Sequence, residues 1–450
     1  MRNGLLPINT KPPRLKARGA RAEAPRATLD ENDLSQALQP VRGTHDLLPD
    51  VCAQHQRVAS IAQRVAGLYG YRRMDTPIFE FSEVFHRAVG ETSDIVTKET
   101  YTFADRGGES LTLRPEFTAA IVRSYISNGL QQMAPFKCFY YGPAFRYERP
   151  QKGRMRQFHQ IGCELLGAAE PASDVEMIAL AMQTLAALGL SDGVKLEINS
   201  LGDAGSRAAY RESLVGYLAA HKENLSEDSK MRFDKNPLRI LDSKSEGDRA
   251  IIAGAPLLHQ YFNEESAQHF AKLKAGLDAL GIAYTVSDKL VRGLDYYSHT
   301  VFEVTTDKLG AQGTVLAGGR YNDLVKLMGG QETACIGWAA GVERLVALQG
   351  DELEFASPKV AVVPMGEASE QSAWQLAQAL RAADVVTEIG YKGNGKKRME
   401  KAAKLGAAFA LIIGDDELAS VEVTVKDLTS GTQQTTLRAD AIQKMSENNA

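Results

Sequence analysis

The stretch FKCFYYGPAFRYERPQKGRMRQFHQIGCELL, residues 136–166, decides the fold of this chain. Two extended runs, 136–149 and 154–166, flank a polar turn at 150–153. Paired runs around a short turn that contains proline and glycine predict an antiparallel β-hairpin. The sequence therefore predicts a core built on an antiparallel sheet.

The second arm of this hairpin has two different faces, because side chains alternate along a strand. One face carries Phe158, Gln160, Gly162 and Glu164, and the other carries Ile161, Cys163 and Leu165. The apolar face predicts a core. The polar face, with a glycine leaving a hollow at its centre, predicts a floor for a small ligand; an ordinary exposed sheet surface is the alternative.

Five cations surround the turn of the hairpin: Arg146, Arg149, Lys152, Arg154 and Arg156. The planar guanidinium group matches the oxygens of a phosphate, so this set favours phosphate recognition. A solvated hairpin tip is the alternative.

Composition excludes several classes of protein. At 450 residues, with about 150 residues per domain, the chain should hold two to four domains. Hydrophobic residues make up 44% and charged residues 24%, which excludes wholesale disorder. No apolar run approaches the ~18 residues of a membrane span. The net charge of -4 neither indicates nor excludes a nucleic-acid partner, so any basic surface must be local.

Cysteine and histidine spacing gives no metal signature. The four cysteines are far apart and form no C-x-x-C pair, and the eight histidines show no H-E-x-x-H pattern. We therefore expect reduced thiols and no protein-ligated transition metal.

The chain divides into three regions. Residues 1–40 are basic and rich in proline, which predicts a disordered extension, with organelle targeting as the alternative. Residues 41–350 carry the sheet motifs, with a mostly helical insertion at about 205–280. Strands and helices alternate over 358–445, which predicts a separate α/β domain.

The region before the hairpin predicts a helix and an edge strand. Apolar residues from Val58 to Leu68 follow helical spacing, and Gly70 ends the helix. An extended run follows over 71–81. Pro77 cannot donate to a neighbouring strand, so this run belongs at an edge, where a second subunit would pack.

Four further stretches stand out. Glu116 lies where a strand turns into a helix, as a helix acid or as a ligand for an ammonium group. The stretch 292–297 is a charged turn with two tyrosines. The stretch 317–321 contains two glycines, which allow its backbone to lie close to a neighbouring group. The stretch 337–345 places Gly341 and Arg344 on one helix. None of these matches a P-loop or a dinucleotide fingerprint.

With these motifs in order, the chain resembles the bacterial-type histidyl-tRNA synthetases, which are class II aminoacyl-tRNA synthetases, over about residues 41–445. VRGTHD at 41–46 looks like the family's opening, and the helix with the Pro77 strand resembles motif 1. The stretch 145–158 resembles motif 2 and 337–345 resembles motif 3. LVRGLDYY at 290–297 and AGGRY at 317–321 resemble the two histidine-specific motifs.

The resemblance implies an α+β class II antiparallel-sheet catalytic core, a helical insertion and a C-terminal α/β anticodon-binding domain. It implies a histidine--tRNA ligase that makes histidyl-adenylate from L-histidine and ATP, then transfers histidine to the 3′ end of tRNA(His). ATP is then a substrate that brings Mg²⁺. The implied protein is a cytoplasmic homodimer without a membrane partner.

The resemblance also implies roles for individual residues. Arg292 and Arg146 are the catalytic residues, and Arg292 would stabilise the charge that develops at the α-phosphate. The histidine site comprises Glu116, Thr118, Gln160, Glu164, Tyr296 and Tyr297, with Glu164 and Tyr297 on the two imidazole nitrogens. The ATP site comprises Arg146, Glu148, Phe158 and Arg344. Contacts to tRNA come from Arg149, Gln151, Lys396, Lys397, Arg398 and Lys401.

Two features qualify the resemblance. Phe117 stands where the family commonly has glycine, which changes the shape of the pocket beside Glu116. The basic stretch 392–404 in the C-terminal domain would neutralise phosphates, with a solvated helix face as the alternative.

Two other functions compete with the ligase. A histidine-sensing regulatory subunit of ATP phosphoribosyltransferase shares the fold but typically lacks the C-terminal domain and loses the arginine motifs. This chain keeps Arg146, Arg292, Arg344 and the 358–445 region. A class II synthetase for another amino acid is the third reading, against which Glu164 and the stretch 292–297 argue.

Overall fold

The computed structural model describes residues 38–89, 99–149, 154–243, 245–291, 296–350 and 359–448. Its strands are β1 (Arg72–Arg73), β2 (Phe79–Phe81), β3 (Thr102–Ala104), β4 (Ser110–Leu113), β5 (Phe136–Phe145), β6 (Gln157–Leu166), β7 (Val194–Ser200), β8 (Thr285–Val286), β9 (Ser298–Thr306), β10 (Thr314–Arg320), β11 (Cys335–Gly341), β12 (Lys359–Pro364), β13 (Thr387–Ile389), β14 (Ala407–Ile413), β15 (Glu422–Asp427) and β16 (Gln433–Leu437).

Its α-helices are α1 (Pro49–Leu68), α2 (Ser82–Val89), α3 (Thr118–Ser127), α4 (Pro171–Ala187), α5 (Ala204–Ala219), α6 (Glu227–Lys235), α7 (Glu246–Ile252), α8 (Glu264–Ala279), α9 (Leu324–Leu327), α10 (Val342–Gln349), α11 (Glu370–Ala382), α12 (Gly395–Lys404), α13 (Asp415–Ser420) and α14 (Arg438–Glu447). None of these helices is both long and apolar enough to cross a bilayer.

An eight-stranded sheet forms the larger core, in the order β1-β5-β6-β11-β10-β9-β7-β8. Its inner pairs are antiparallel, and only the edge pairs β1–β5 and β7–β8 are parallel. The predicted hairpin is confirmed: β5 and β6 pair without interruption from Phe136 opposite Leu166 to Phe145 opposite Gln157. The turn residues 150–153 lie outside the described residues.

Helices α1, α4, α8 and α10 contribute to the core on one face of this sheet. Ile161, Cys163 and Leu165 of β6 point into this core and are buried, as the alternation predicts. Val58 and Val65 of α1 pack in the same cluster, and burying each valine stabilises the fold by about 1.5–3 kcal/mol. The opposite face of β6 is therefore free to build a site.

The extended run predicted over 71–81 is wrong as a single strand. It splits into β1, which pairs with β5, and β2, which joins β4 and β3 in a separate three-stranded sheet. Pro77 lies between them and makes no ladder bond of its own. The guanidinium group of Arg114 instead binds the carbonyl oxygens of Thr76 at 2.9 Å and Pro77 at 3.4 Å.

The segment between β7 and β8 is largely helical. Helices α5 to α7 enclose an apolar cluster of their own, with Tyr210, Leu214 and Ile252 among its buried members. Helix α8 differs, since its Phe270, Leu273 and Leu277 belong to the core of the eight-stranded sheet. The chain thus leaves the sheet and returns to it through α8.

The C-terminal region forms a five-stranded sheet in the order β13-β12-β14-β15-β16. Strands β13, β12 and β14 are parallel, and β15 and β16 follow as antiparallel neighbours. Helices α11 and α12 alternate with these strands, as the sequence pattern predicts. The domain limits at 40, 350 and 358 stay predictions.

Candidate functional site

A pocket lies on the polar face of β6, between β11 and the N-terminus of α3. All of the described residues predicted to bind histidine or ATP line it: Glu116, Thr118, Arg146, Glu148, Phe158, Gln160, Glu164, Tyr296, Tyr297 and Arg344. They come from segments more than 200 positions apart in the chain. The sheet brings them together because β6 pairs with both β5 and β11.

Glu164 is the most buried carboxylate of this pocket, with 1% of its surface exposed. The hydroxyl of Thr118 donates to Oε1 at 2.8 Å, and the hydroxyl of Tyr321 donates to Oε2 at 2.5 Å. Each carboxylate oxygen can accept a second hydrogen bond. Glu164 is thus fixed in orientation and still able to accept a bond from a ligand.

Two glycines shape the space around Glu164. A Cβ on Gly337 of β11 would lie 1.6 Å from Oε2 of Glu164, so glycine there allows the carboxylate to lie over the neighbouring strand. The hollow predicted over Gly162 is occupied, since a Cβ there would lie 2.3 Å from the hydroxyl oxygen of Tyr140. Tyr140 stands directly opposite Gly162 in the β5–β6 register. The expected gap is therefore filled by a tyrosine that also lines the pocket.

Burial raises the pKa of Glu164 to about 8, although its hydrogen bonds to Tyr321 and Thr118 oppose the shift. The folded protein therefore holds a proton that the unfolded chain releases near its ordinary pKa of 4.5.

Glu164 is expected to make folding stability fall as the pH rises from about 4.5 to about 8. In this window the native state binds more protons than the unfolded state, so raising the pH favours unfolding. Urea-unfolding midpoints across this range, for the parent and for Glu164→Gln, measure the effect. The glutamine variant cannot titrate, so its profile should be flatter; two superimposable profiles would contradict the assignment.

Glu116 lies just before α3. The sequence predicts it either as a helix acid or as a ligand-binding carboxylate, and its position in the structure suits both roles. Its carboxylate accepts hydrogen bonds from the backbone N–H groups of Thr118 at 2.6 Å and Ala119 at 2.9 Å. Burial raises the pKa of Glu116, against these two bonds and the nearby charge of Arg146. The carboxylate is anchored while it faces the pocket.

Phe117 lies on the pocket wall as well, and its ring packs behind the site. It stacks on Tyr140 with centroids 4.4 Å apart and planes 10° from parallel, and the guanidinium of Arg114 lies 3.9 Å from its ring centroid. Phe117 is 1% exposed. The residue that departs from the family pattern thus supports Tyr140, whose hydroxyl lies over Gly162.

The other end of the pocket is rich in guanidinium groups. Arg146, Arg154 and Arg344 all line it, with Glu148 between them at 3.1 Å from Arg154. Burial lowers the pKa of Arg344, and the positive charges of Arg154 and Arg146 lower it further. Like charges held this close are costly unless an anion joins them, so this end suits phosphate groups.

Arg146 and Arg344 are each held by a hydrogen bond to a backbone carbonyl oxygen. Nε of Arg146 donates to the carbonyl oxygen of Pro115 at 2.9 Å, and its guanidinium lies 5.1 Å from the ring centroid of Phe158. Nη1 of Arg344 donates to the carbonyl oxygen of Thr314 at 2.8 Å. The placement of Gly341 and Arg344 on one helix is wrong. Gly341 ends β11 and is the N-cap of α10, because its backbone is extended and the helix begins at the next residue.

Some predicted site residues are not placed at the pocket. Arg292 and Gln151 lie outside the described residues. Arg149 is exposed, directly follows Glu148 in the chain and is not among the residues that line the pocket.

The basic stretch of the C-terminal domain forms α12, which begins after Asn394, whose side chain accepts from the N–H of Lys397 at 3.1 Å. Lys396, Lys397 and Lys401 are exposed. Arg398 is 6% exposed, and its guanidinium binds Glu370 at 2.5 Å and the carbonyl oxygen of Pro364 at 2.9 Å. The assignment of Arg398 to tRNA stays a prediction, and in this structure its charge is paired within the domain.

Sequence reasoning assigned no role to Tyr321 or Arg320. Tyr321 supplies one of the hydroxyls that hydrogen-bond Glu164. Arg320 is fully buried, and its guanidinium binds Asp174 and the carbonyl oxygens of Ala168 and Glu170, which fixes the end of β10 next to Tyr321. The glycine pair before Arg320 was a signal of close packing, but nothing in the sequence pointed to Asp174.

Comparisons with known proteins cover most of the chain. The family described as "Histidyl-tRNA synthetase" matches residues 43–345, and the one described as "Anticodon binding domain" matches residues 359–448. The "Histidine--tRNA ligase" of Rhodospirillum rubrum is 54% identical over 399 residues, covering 89% of this chain and 96% of the relative.

Solved structures give the same result. The apo histidyl-tRNA synthetase of S. aureus superimposes with a TM-score of 0.78 at 35% identity, covering 91% of this chain and all of that one. An "ATP phosphoribosyltransferase regulatory subunit/histidyl-tRNA synthetase" from Bacillus halodurans C reaches a TM-score of 0.60 at 22% identity, with 81% and 96% of the chains covered. At that identity the second likeness concerns the fold alone.

Proposed function

The chain belongs to the histidyl-tRNA synthetase family, and from that membership we propose that its pocket makes histidyl-adenylate from L-histidine and ATP and passes histidine to tRNA(His). The predicted fold class and the predicted histidine--tRNA ligase activity are confirmed. The regulatory-subunit alternative is not favoured, because ligases at high identity cover most of the chain.

One observation carries the assignment of residues to roles. The residues assigned to the amino acid and those assigned to the nucleotide line one continuous pocket, with buried carboxylates at one end and guanidinium groups at the other. Histidine carries an ammonium group and an imidazole N–H, which suit carboxylates, and ATP carries phosphates, which suit arginines.

At the amino-acid end, Glu116 receives the α-ammonium group together with Thr118 and Gln160. Glu164 accepts a hydrogen bond from the imidazole N–H, and Tyr297 meets the other ring nitrogen. Tyr296 packs on Tyr297, with ring centroids 4.8 Å apart, and so closes the side of the pocket. Thr118 also holds Glu164 in place, so the two carboxylates are linked through one hydroxyl residue.

At the nucleotide end, Arg146 binds the α-phosphate, Phe158 stacks on the adenine and Arg344 binds the distal phosphates. The carboxylate of histidine attacks the α-phosphorus and pyrophosphate leaves. Arg292 stabilises the charge that develops in this step. No protein nucleophile or general base is needed, so catalysis consists of positioning and electrostatic stabilisation.

Mg²⁺ would accompany ATP and would be held mainly by the phosphates. The pocket fits such an ion, since the carboxylate of Glu148 lies on its wall and carboxylate oxygens are the ligands that Mg²⁺ prefers. Glu148 also separates the guanidinium groups of Arg146 and Arg154, so it orients the residues around the phosphates. We place the protein in the cytoplasm, where its tRNA and ATP are found.

Histidine-dependent ATP–pyrophosphate exchange tests the proposal. We expect exchange with L-histidine and none when it is replaced by any other standard amino acid. A protein that binds histidine without exchange would be a sensor and would overturn the catalytic assignment. Exchange driven by another amino acid would overturn the assignment of the carboxylate end.

We also propose that the chain forms a homodimer through the three-stranded sheet. Ile78, Phe79, Phe81 and Phe103 of this region are all more than 40% exposed. A cluster of exposed aromatic residues on edge strands favours association. Sedimentation should show a dimer for the parent and a monomer for the double variant Phe79→Asp, Phe81→Asp; a monomeric parent would contradict the proposal.

The exposed lysines of α12 are expected to contribute to tRNA binding without affecting adenylate formation. Replacing Lys396, Lys397 and Lys401 with alanine should weaken binding and reduce its salt dependence by up to about 0.9 per lost phosphate contact. Binding of tRNA(His) at several salt concentrations measures this, with pyrophosphate exchange as the control. An unchanged salt slope would make α12 an ordinary solvated helix.

A further inference from the structure

A group of three potential metal ligands lies beside the nucleotide end of the pocket. His55 of α1, His159 of β6 and Glu343 of α10 each offer one ligand atom, and these atoms lie within 4.8 Å of one another. Nδ1 of His159 is 3.0 Å from Oε1 of Glu343. None of the roles proposed above uses His55 or His159.

His55 is out of place among its neighbours. It lies on the same face of α1 as Val58, Ala59 and Ala62, and it is 2% exposed. Its Nδ1 is buried and has no hydrogen-bond partner in the described structure. Buried polar atoms are nearly always paired, so an unpaired imidazole nitrogen in a core calls for a missing partner. The ring of His55 meets that of His159 edge-on, with centroids 5.1 Å apart.

The three side chains are already oriented and suited to ligation. The backbone N–H of His159 donates to both oxygens of Glu343, at 2.8 and 3.0 Å. The ring of Tyr141 stacks on His159 at 5.9 Å. Such supporting contacts are typical of metal ligands.

We propose that His55, His159 and Glu343 form a site for a transition-metal ion of the Zn²⁺ class. Two imidazole nitrogens and one carboxylate oxygen are a ligand set that Zn²⁺ uses, with a water in the fourth position. Bonds of about 2.0–2.2 Å place neighbouring ligand atoms of a tetrahedral site about 3.5 Å apart, so the His159–Glu343 pair, hydrogen-bonded at 3.0 Å, would open slightly to admit the ion. Mg²⁺ and Ca²⁺ prefer sets of oxygen atoms, so they fit less well.

The site would join three elements that the sequence separates widely. His159 and Glu343 are 184 positions apart, so no short-range spacing could signal them. The expectation of no protein-ligated transition metal rested on such spacings alone. Glu343 also lines the pocket next to Arg344, so the ion would neutralise a carboxylate at the nucleotide end.

Co²⁺ is the probe, because it occupies Zn²⁺ sites and absorbs in the visible. Full-length protein without an affinity tag is stripped with a chelator and titrated with Co²⁺ in the absence of histidine. We expect a saturable visible band at one ion per chain, lost when Zn²⁺ is added. A thiolate-to-cobalt band in the near ultraviolet should be absent, since Cys52, although on α1, is not part of the group.

Variants locate the ion. His55→Ala and Glu343→Gln should each weaken Co²⁺ binding by at least about 100-fold, the upper end of the effect of losing a supporting contact. The matched control is His259→Ala, which removes an exposed histidine paired with Asp288 at 2.8 Å and should leave the band unchanged. A thermal melt with and without Zn²⁺ gives a second readout, since an ion that binds only the native state raises the melting temperature.

Results that support the metal site can be distinguished from results that overturn it. Stabilisation of the parent by Zn²⁺, with none in His55→Ala, supports the site, and circular dichroism shows whether that variant is folded. If His55→Ala does not fold, His55→Gln, which preserves a side chain of similar size, is used in its place. A parent without a saturable band, a band that persists in the His55 variant, or a band lost in His259→Ala overturns the proposal.

Discussion

Replacing Arg146 with lysine is expected to slow histidine-dependent ATP–pyrophosphate exchange by about 10²–10³, the usual effect of losing one preorganised contact to a developing charge. The guanidinium is held by the carbonyl oxygen of Pro115 at 2.9 Å and by the ring of Phe158. Lysine carries the same charge but cannot make both contacts and still bind a phosphate with a planar fork. The rate should fall much more than the affinity for histidine.

Arg87→Lys is the control for this change, because Arg87 is exposed on α2 and pairs with Glu83 four residues away. Its exchange rate should equal that of the parent. Equal exchange by Arg146→Lys and the parent would show that charge alone suffices at this position, and it would remove the fork geometry from the mechanism.

The polar face of β6 could be predicted from the sequence because side chains alternate on a strand. Phe158, Gln160 and Glu164 line the pocket, and Ile161 and Cys163 are in the core, as that alternation requires. The position of Glu116 before a helix also follows from its local context, since its carboxylate accepts from the first N–H groups of α3. Both properties depend on residues that are close together in the chain, so the local sequence pattern predicts them.

Contacts made across the sheet could not be predicted in this way. Tyr321 reaches Glu164 across 157 positions, and Arg320 reaches Asp174 across 146. Gly337 allows the first of these contacts only because β11 lies beside β6. Strand order is set by long-range packing, so the neighbours of a pocket residue are known only once the fold is.

Element boundaries were wrong where backbone chemistry competes with pattern. The sequence predicted one extended run over 71–81, but Pro77 cannot continue a ladder, and the buried Arg114 binds the carbonyl oxygens of Thr76 and Pro77 at the break. At the other end of the pocket, Gly341 was assigned to a helix that begins one residue later. In both places the misassigned residue lies next to residues that support the site.

Replacing Glu164 with alanine is expected to raise steeply the histidine concentration needed for adenylate formation. It should also reduce the preference of the site for activating histidine over other amino acids. A site built around specific hydrogen bonds discriminates by about 10⁴ against ligands that lack the partner atoms, because its own buried groups are then left unpaired. Removing the carboxylate removes that penalty for the wrong ligand. ATP affinity should change little, since Glu164 lies at the opposite end of the pocket from the arginines.

The alanine change also leaves the hydroxyls of Thr118 and Tyr321 without their acceptor, at a cost of about 1–3 kcal/mol for each unpaired group. Glu164→Gln separates this structural loss from the loss of recognition, because an amide oxygen can still accept from one hydroxyl. Its melting temperature should lie closer to that of the parent, while its histidine requirement stays raised, since one amide cannot replace both carboxylate oxygens.

Glu170→Ala completes the set, because Glu170 is exposed just past β6 and should tolerate the change without effect on the kinetics. Steady-state exchange with histidine and with competing amino acids measures all three variants. If Glu164→Ala is folded and activates histidine as well as the parent does, the imidazole is bound elsewhere. The buried carboxylate, with its pKa raised by burial to about 8, would then serve only to hold α3 against β6 and β10 through Thr118 and Tyr321.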